Sequence, residues 1–160
     1  VVEESAVNIC RLTNYDPRCV GSCVIISQLI HSLIYNDMGL SYHEIVDIAM
    51  KYDERIVEFV DLALSPDIRE LELQDENSVG YTLRCLSAAL WAYWHAKSFV
   101  EGLLAVVRAG GDADTNAAVA CAVLGARYGY EAIPNEYKEG LVYRDQLDSV
   151  VEGLIQVFGE

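Results

Sequence analysis

The sequence predicts an all-α fold, and three observations carry that prediction. Apolar residues recur on a 3.6-residue period along most of the chain, while strand-type alternation is almost absent. Helix-start signals recur at Asp16-Pro17, at Ser41 with Glu44 and at Ser98 with Glu101. The 160 residues are 52% hydrophobic with only three prolines, which excludes a disordered chain and suffices for a single core. No internal repeat, linker or low-complexity tract divides the chain, so one helical domain over residues 1–160 is expected.

A folded element is expected within the first ten residues. The stretch "YDPRCVGSCVIISQLIHSLI" then places Asp16 as an N-cap and Pro17 at the first helical position, predicting a helix near 17–36. Ser41 and Glu44 form a capping box for a second helix ending near Leu64, with Ile45, Ile48, Ala49, Tyr52, Phe59 and Val60 as its apolar stripe. The segment "SPDIRELELQDENS" reads as a connection with one short helical turn. A helix resumes in "VGYTLRCLSAALWAYWHA", with Leu83, Leu86, Leu90 and Trp94 facing inward. Ser98 and Glu101 cap the next helix, which Gly110 and Gly111 stop. The helix that follows should end at Gly129. Pro134 biases Ile133 away from helix, so "IPNEYKEGL" reads as a loop into a short turn. Leu147, Val151, Leu154 and Phe158 give the last helix, near 144–158, its stripe.

Charge limits the partners. With 25 acidic and 11 basic residues the net charge is −14, which disfavours nucleic acid and anionic membrane surfaces because both draw on clustered Lys and Arg. An anionic small molecule would be repelled as well unless a bound cation preceded it, which points toward a divalent metal. No apolar run reaches the roughly 20 residues of a membrane span. The five cysteines, Cys10, Cys19, Cys23, Cys85 and Cys121, form no Cys-x-x-Cys, and no secretory signal precedes them. His31, His43 and His95 add no zinc-ligand spacing. Reduced thiols that pack as small apolar groups in a cytoplasmic protein are expected.

The densest chemistry lies in "GGDADTNAAVACAVLGARYG", residues 110–129. Gly110 and Gly111 allow a tight turn, and Asp112, Asp114 or Thr115 can reach the free N–H groups of the helix that begins there. Capping explains one such carboxylate well. Two carboxylates and a hydroxyl within four residues also make a set of hard oxygen donors for Mg²⁺ or Mn²⁺. Small residues behind them, Ala117, Ala118, Cys121, Ala122 and Gly125, would let neighbouring helices approach closely. The N-terminus of a helix is its partially positive end, so a cation there needs more acid from elsewhere. Asp16 is one source and a partner segment another, although an N-cap before Pro17 is the simpler account of Asp16.

The segments "SVGYTLRCLSAALWA", "SFVEGLLAVVRAGGDADTNAAVACAVLGARYG" and "IPNEY", in that order, resemble the ADP-ribosylglycohydrolase family, and "RLTNYDPRC" resembles that family's Leu-Thr-His-x-Asp-Pro-Arg segment. The resemblance runs over nearly the whole chain, with Gly-Gly-Asp-x-Asp-Thr as its most specific part. It implies a compact, orthogonal multi-helix domain that binds two Mg²⁺ or Mn²⁺ ions. It also implies hydrolysis of the bond joining ADP-ribose to an amino-acid side chain or related acceptor. By that resemblance Asp112, Asp114 and Thr115 are metal ligands, Asp16 a structural neighbour of the site, and Asn14, Gly80, Tyr81, Gly110 and Gly111 lie by the substrate. An ADP-ribosylated protein or small molecule is the implied partner, and the general acid or base is not identified.

Two departures qualify it. Asn14 stands where the family has His, and Asn hydrogen-bonds but does not titrate near neutral pH. The family's Gly-Asp-Ala-x-Gly segment and Thr-Asp-Asp cluster occur nowhere in the 160 residues. Together with the start at Val1, this predicts the C-terminal portion of a longer hydrolase, or a short chain completed by another polypeptide. Apolar surface left uncovered would favour self-association. A binding module without turnover and a purely structural helical domain are the alternatives.

Overall fold

The computed structural model describes residues 1–75 and 79–158, and among these residues the chain forms nine α-helices and no strand. They are α1 (Val2–Cys10), α2 (Pro17–Tyr35), α3 (Tyr42–Tyr52), α4 (Arg55–Leu62), α5 (Thr82–His95), α6 (Phe99–Arg108), α7 (Ala113–Tyr128), α8 (Asn135–Glu139) and α9 (Arg144–Phe158). Asp16 caps α2 as its sequence suggests, its carboxylate accepting the Arg18 backbone N–H at 2.9 Å. Ser41 and Glu44 complete a reciprocal capping box on α3. Ser98 caps α6 through the Glu101 N–H, but the Glu101 carboxylate accepts the Lys97 N–H instead of that of Ser98, so this box is displaced by one residue.

The helix expected over 42–64 is two helices. At Asp53 the backbone turns extended (φ −161°), and the Asp53 carboxylate takes the backbone N–H and the guanidinium of Arg55, starting α4 afresh. The same Asp-x-Arg arrangement recurs at Asp16 with Arg18 and at Asp67 with Arg69, each at the start of a helical segment. The short turn foreseen between the second and third predicted helices is the 3₁₀ segment Ile68–Leu71. Residues 76–78 of that connection lie outside the described residues.

Helix α5 is the centre of the packing, with Leu83, Leu86, Ala88, Ala89, Leu90, Trp91 and Ala92 all buried. It packs against α7, α4, α2 and α6, while α7 also lies along α6. Leu83, Leu86 and Leu90 face inward as expected, but Trp94 is half-buried and Trp91 takes the core position. A heptad-like count from Leu83 puts both tryptophans near the inner face, and only the neighbouring helices decide between them. Helix α2 is 19 residues long with mean hydropathy 1.3, enough by length and composition to cross a membrane, contrary to the sequence expectation. Its apolar side chains Val20, Val24, Ile25 and Leu29 are buried by contacts with α1, α3, α4, α5 and α7, which gives that apolarity a use inside the domain.

The small residues of α7 split between two faces. Of those expected to face a neighbour, Ala117 is buried, whereas Ala118 and Ala122 are exposed and nothing lies within 4 Å of a Cβ built on Gly125; Ala120, not singled out in the sequence, is the other buried alanine. Helix α9 forms over the predicted span, but Leu147, Val151 and Leu154 are exposed and cover no core. The side chain of Phe158 lies outside the described residues.

Replacement of Ser41 by Ala should lower unfolding stability by about 1 kcal/mol through loss of the α3 cap. Leu90→Ala should lower it by about 2–5 kcal/mol because Leu90 is completely buried at the centre of α5. Urea denaturation of both variants measures the two effects, and equal losses would contradict the central place given to α5.

Candidate functional site

Chain geometry brings two groups of polar residues to the two sides of the α5 N-terminus. One is built on the start of α2. Asn14 Oδ1 accepts the Asp16 N–H at 2.9 Å, and the Asp16 carboxylate in turn receives Nε (2.9 Å) and Nη2 (2.5 Å) of Arg18. Arg18 Nη1 then donates to the Tyr81 hydroxyl at 3.3 Å, and its guanidinium lies 5.7 Å from the centre of the Tyr81 ring. The Arg18 guanidinium holds the Asp16 carboxyl well below the usual carboxylate range, and Asp16 together with the Tyr81 hydroxyl raises Arg18 further. Tyr81 meets Phe59 edge-on at 5.5 Å, so its ring is fixed from both ends.

The other group starts α7. Gly110 and Gly111 take left-handed conformations (φ 79° and 65°), and a Cβ on Gly111 would stand 1.8 Å from the Leu73 carbonyl oxygen. Only glycine fits there. The turn delivers Asp112 to the N-cap position, yet the Asp112 side chain makes no capping hydrogen bond. Capping therefore does not account for Asp112. The Asp114 carboxyl is held below its ordinary value, chiefly by the Thr115 backbone N–H and next by its side-chain interaction with Asp112, two residues earlier at the same helix start. Thr115 and Asp114 are exposed, and Asp112 and Gly110 are partly covered.

Gly80 joins the two groups. Its φ of 75° turns the chain into α5, and a Cβ placed on it would lie 3.9 Å from Asp112 Oδ2. The structure thus brings Gly80, Tyr81, Gly111 and Asp112 into one neighbourhood and places Asn14, Asp16 and Arg18 on the far side of the Tyr81 ring. Cys85, one turn into α5, reaches the Thr115 carbonyl with its sulfur at 3.8 Å, and burial, aided by Asp112, pushes its thiol up to about 11. All five cysteines are free thiols. Desolvation, with the Cys10 side chain, pushes the Cys23 thiol up to about 12, although Cys23 itself is exposed and of the five only Cys10 is buried.

Beside the second group runs an apolar groove of about 220 Å³ between α2, α5 and α7, lined by Ser22, Cys23, Ile26, Thr82, Cys85 and Val119 among others. Neither aspartate of the α7 turn borders it. As donors for a cation, Asp112, Asp114 and Thr115 fit in kind, being two carboxylates and a hydroxyl. They fall short in number, since no cluster of three or more His, Cys, Asp or Glu suited to a metal exists among the described residues. Asp16 adds no donor, because Arg18 occupies both of its oxygens.

Sequence reasoning did not single out Arg18 or Arg84 as site residues. The recurrence of Asp-x-Arg at three helix starts is the signal that would have found Arg18. Arg84 has no such mark, because its partners Leu71 and Glu72 are a loop away.

Comparison with known proteins agrees in extent with the sequence resemblance. The family model described as ADP-ribosylglycohydrolase matches residues 1–160. A protein of Serratia proteamaculans named "ADP-ribosylarginine hydrolase Tri1" is 27% identical over 151 residues, covering 92% of this chain and 39% of the relative. An uncharacterized protein of Archaeoglobus fulgidus is 30% identical over 164 residues, covering 98% of this chain and 52% of the relative. A second protein named "ADP-ribosylarginine hydrolase Tri1", from Pseudomonas putida, is 34% identical over 77 residues, 48% of this chain and 21% of the relative. The chain spans about half or less of the length of these curated relatives.

Two outcomes follow from the geometry. Gly111→Ala should destabilise the chain more than Gly129→Ala: both glycines have positive φ, but the space around Gly129 is open, leaving backbone strain of about 1–2 kcal/mol alone. Equal melting temperatures for the two variants would contradict the close approach at Leu73. The depressed Asp16 carboxyl stabilises the fold above its unfolded value near about pH 4 and loses that contribution as pH falls toward its folded value. The melting-temperature gap between wild type and Asp16→Asn, which keeps a side-chain oxygen for the cap, should therefore narrow steadily from pH 5 to pH 2, in the order of about 1–3 °C overall.

Proposed function

The chain belongs to the ADP-ribosylglycohydrolase family, and from that premise we propose that it serves the hydrolysis of ADP-ribose from a modified side chain, with ADP-ribosylated arginine as the substrate to test first. The observation that supports the reading is the placement of Asp112, which caps nothing, with its Oδ2 3.9 Å from a Cβ built on Gly80, and with Asp114 and Thr115 in the first turn that follows. Asp112, Asp114 and the Thr115 hydroxyl would hold a divalent cation, Mg²⁺ or Mn²⁺, since hard oxygen donors suit both ions. When bound, such an ion supplies Lewis acidity and offsets negative charge where an anionic ligand must approach.

The chain's own residues would do the rest by binding and orientation. Tyr81, braced by Arg18 and Phe59, offers the free part of its ring to a ribose or base. Asn14 uses its Oδ1 on Asp16, which leaves its amide to donate toward a ligand. The backbone at Gly80, Gly110 and Gly111 carries no side chain to obstruct a close approach. With two carboxylates at the start of α7 and the anionic ligand repelled by a chain of net charge −14, the cation would be required for ligand binding as well as for turnover.

A second reading, binding of ADP-ribose without turnover, is favoured by the donor count of two carboxylates and one hydroxyl in a chain that spans about half of its relatives. Release of free ADP-ribose from an ADP-ribosylated arginine peptide, with Mn²⁺ or Mg²⁺ and again with a chelator, separates the two. Hydrolysis predicts release that the chelator abolishes and that Asp112→Asn or Asp114→Asn lowers by at least about 100-fold with little change in melting temperature. Full activity in either variant would remove those residues from the ligand set. Ligand-induced stabilisation without release would establish the binding reading.

A further inference from the structure

Arg84 projects from the first turn of α5 and is almost covered, its side chain 13% exposed. Its Nη1 donates to the Leu71 carbonyl at 2.5 Å, its Nη2 to Glu72 Oε2 at 3.1 Å, and its guanidinium stacks 5.4 Å from the centre of the Phe59 ring. Its Nε is buried with no hydrogen-bond partner among the described residues, which sets an unfavourable contribution against those two hydrogen bonds.

At Glu72 the backbone is left-handed (φ 49°), so the chain reverses sharply between the gripped carbonyl of Leu71 and the buried side chain of Leu73. The Leu73 carbonyl and the Gln74 Cα then lie where a Gly111 Cβ would be, at 1.8 and 3.2 Å, and Gln74 Cβ would stand 3.7 Å from a Cβ on Gly110. The Leu71–Gln74 segment is a wedge against the glycine turn whose next residue is Asp112.

We propose that Arg84 is a positioning residue for the Asp112 and Asp114 carboxyl groups, acting through the Leu71–Gln74 wedge and the Gly110–Gly111 turn. The inference rests on the proposed cation site for its purpose, but its mechanical part stands apart from any bound ion. Removing the guanidinium frees the Leu71 carbonyl, lets the wedge withdraw, and gives the glycines room for other conformations. The carboxylates then keep their places less firmly.

The Asn116 N–H, which donates to the Asp112 carbonyl at 3.0 Å, reports the state of the turn through hydrogen exchange. Ser41→Ala serves as a control that lowers stability far from the site. Arg84→Met should speed Asn116 exchange by at least about tenfold beyond what its loss of global stability explains, while Ser41→Ala should speed it only by its global loss. Arg84→Lys, able to reach one of the two acceptors, should give an intermediate rate and remains the informative variant if Arg84→Met fails to fold. Mn²⁺ titration of the same proteins should show affinity falling about tenfold in Arg84→Met with partial recovery in Arg84→Lys. If Asn116 exchange in both Arg84 variants matches the stability-corrected control, the inference is wrong. Loosened exchange in a chain whose wild type takes up no Mn²⁺ would uphold the positioning role and overturn the cation site instead.

Discussion

Burial of α5 on nearly all sides is the constraint on which the rest of the structure depends. A helix covered along one stripe can rotate by a fraction of a turn at modest cost, but one that presents Leu83, Ala88, Ala89, Leu90 and Ala92 to different neighbours cannot. Its rotation and its axial position are both fixed, and so is everything attached to its first turns. Tyr81 precedes it, Arg84 reaches the loop after the 3₁₀ turn, and Cys85 touches the start of α7. Residues that are distant in sequence are thereby held against one another without any of them supplying much stability.

The start of α7 illustrates how that rigidity is used. A helix N-terminus attracts anions, and an aspartate at the N-cap position ordinarily satisfies that preference by accepting a backbone N–H. Asp112 occupies that position and makes no such bond. The turn that sets this arrangement has two left-handed glycines pressed against the Leu73 carbonyl. Holding a carboxylate away from the cap hydrogen bond it could make brings no gain to the helix itself, and it leaves the Asp112 oxygens free for another role.

The fold class and most helix starts were legible in the sequence because caps act locally: Asp16 with Pro17 and Ser41 with Glu44 need no partner beyond the next turn. The break at Asp53 was also local, yet the apolar stripe runs through it unbroken, and periodicity masked the Asp-x-Arg signal. Inward positions were legible on α5 up to Leu90 and failed at Trp94, where either tryptophan suits the period and only the packing of neighbours selects Trp91. On α9 the stripe was correct as a pattern and wrong as a core, since an amphipathic helix announces an apolar face but not what covers it. At the site, the short motifs drew attention to Asp112, Asp114, Gly80 and Tyr81, and the structure sets Gly80 beside Asp112. The wedge that shapes the turn stayed invisible, because a backbone carbonyl at Leu73 leaves no mark on residue type.

The charges around Tyr81 bear on the cation proposed for the start of α7. Its nearby arginines look suited to phosphate, but each is already engaged: Arg18 with Asp16, Arg55 with Asp53, and Arg84 with Glu72 and a carbonyl. Arg18 is bound through both of its carboxylate-facing nitrogens, and the contact that remains goes to the Tyr81 hydroxyl. These guanidinium groups serve as braces whose charge is cancelled within about 3 Å, so at the distance of a diphosphate they leave little net field. The acidic excess of the chain then dominates. A diphosphate ligand could approach the turn at Asp112 only if positive charge were added there, and the carboxylates at the start of α7 are the feature best suited to add it.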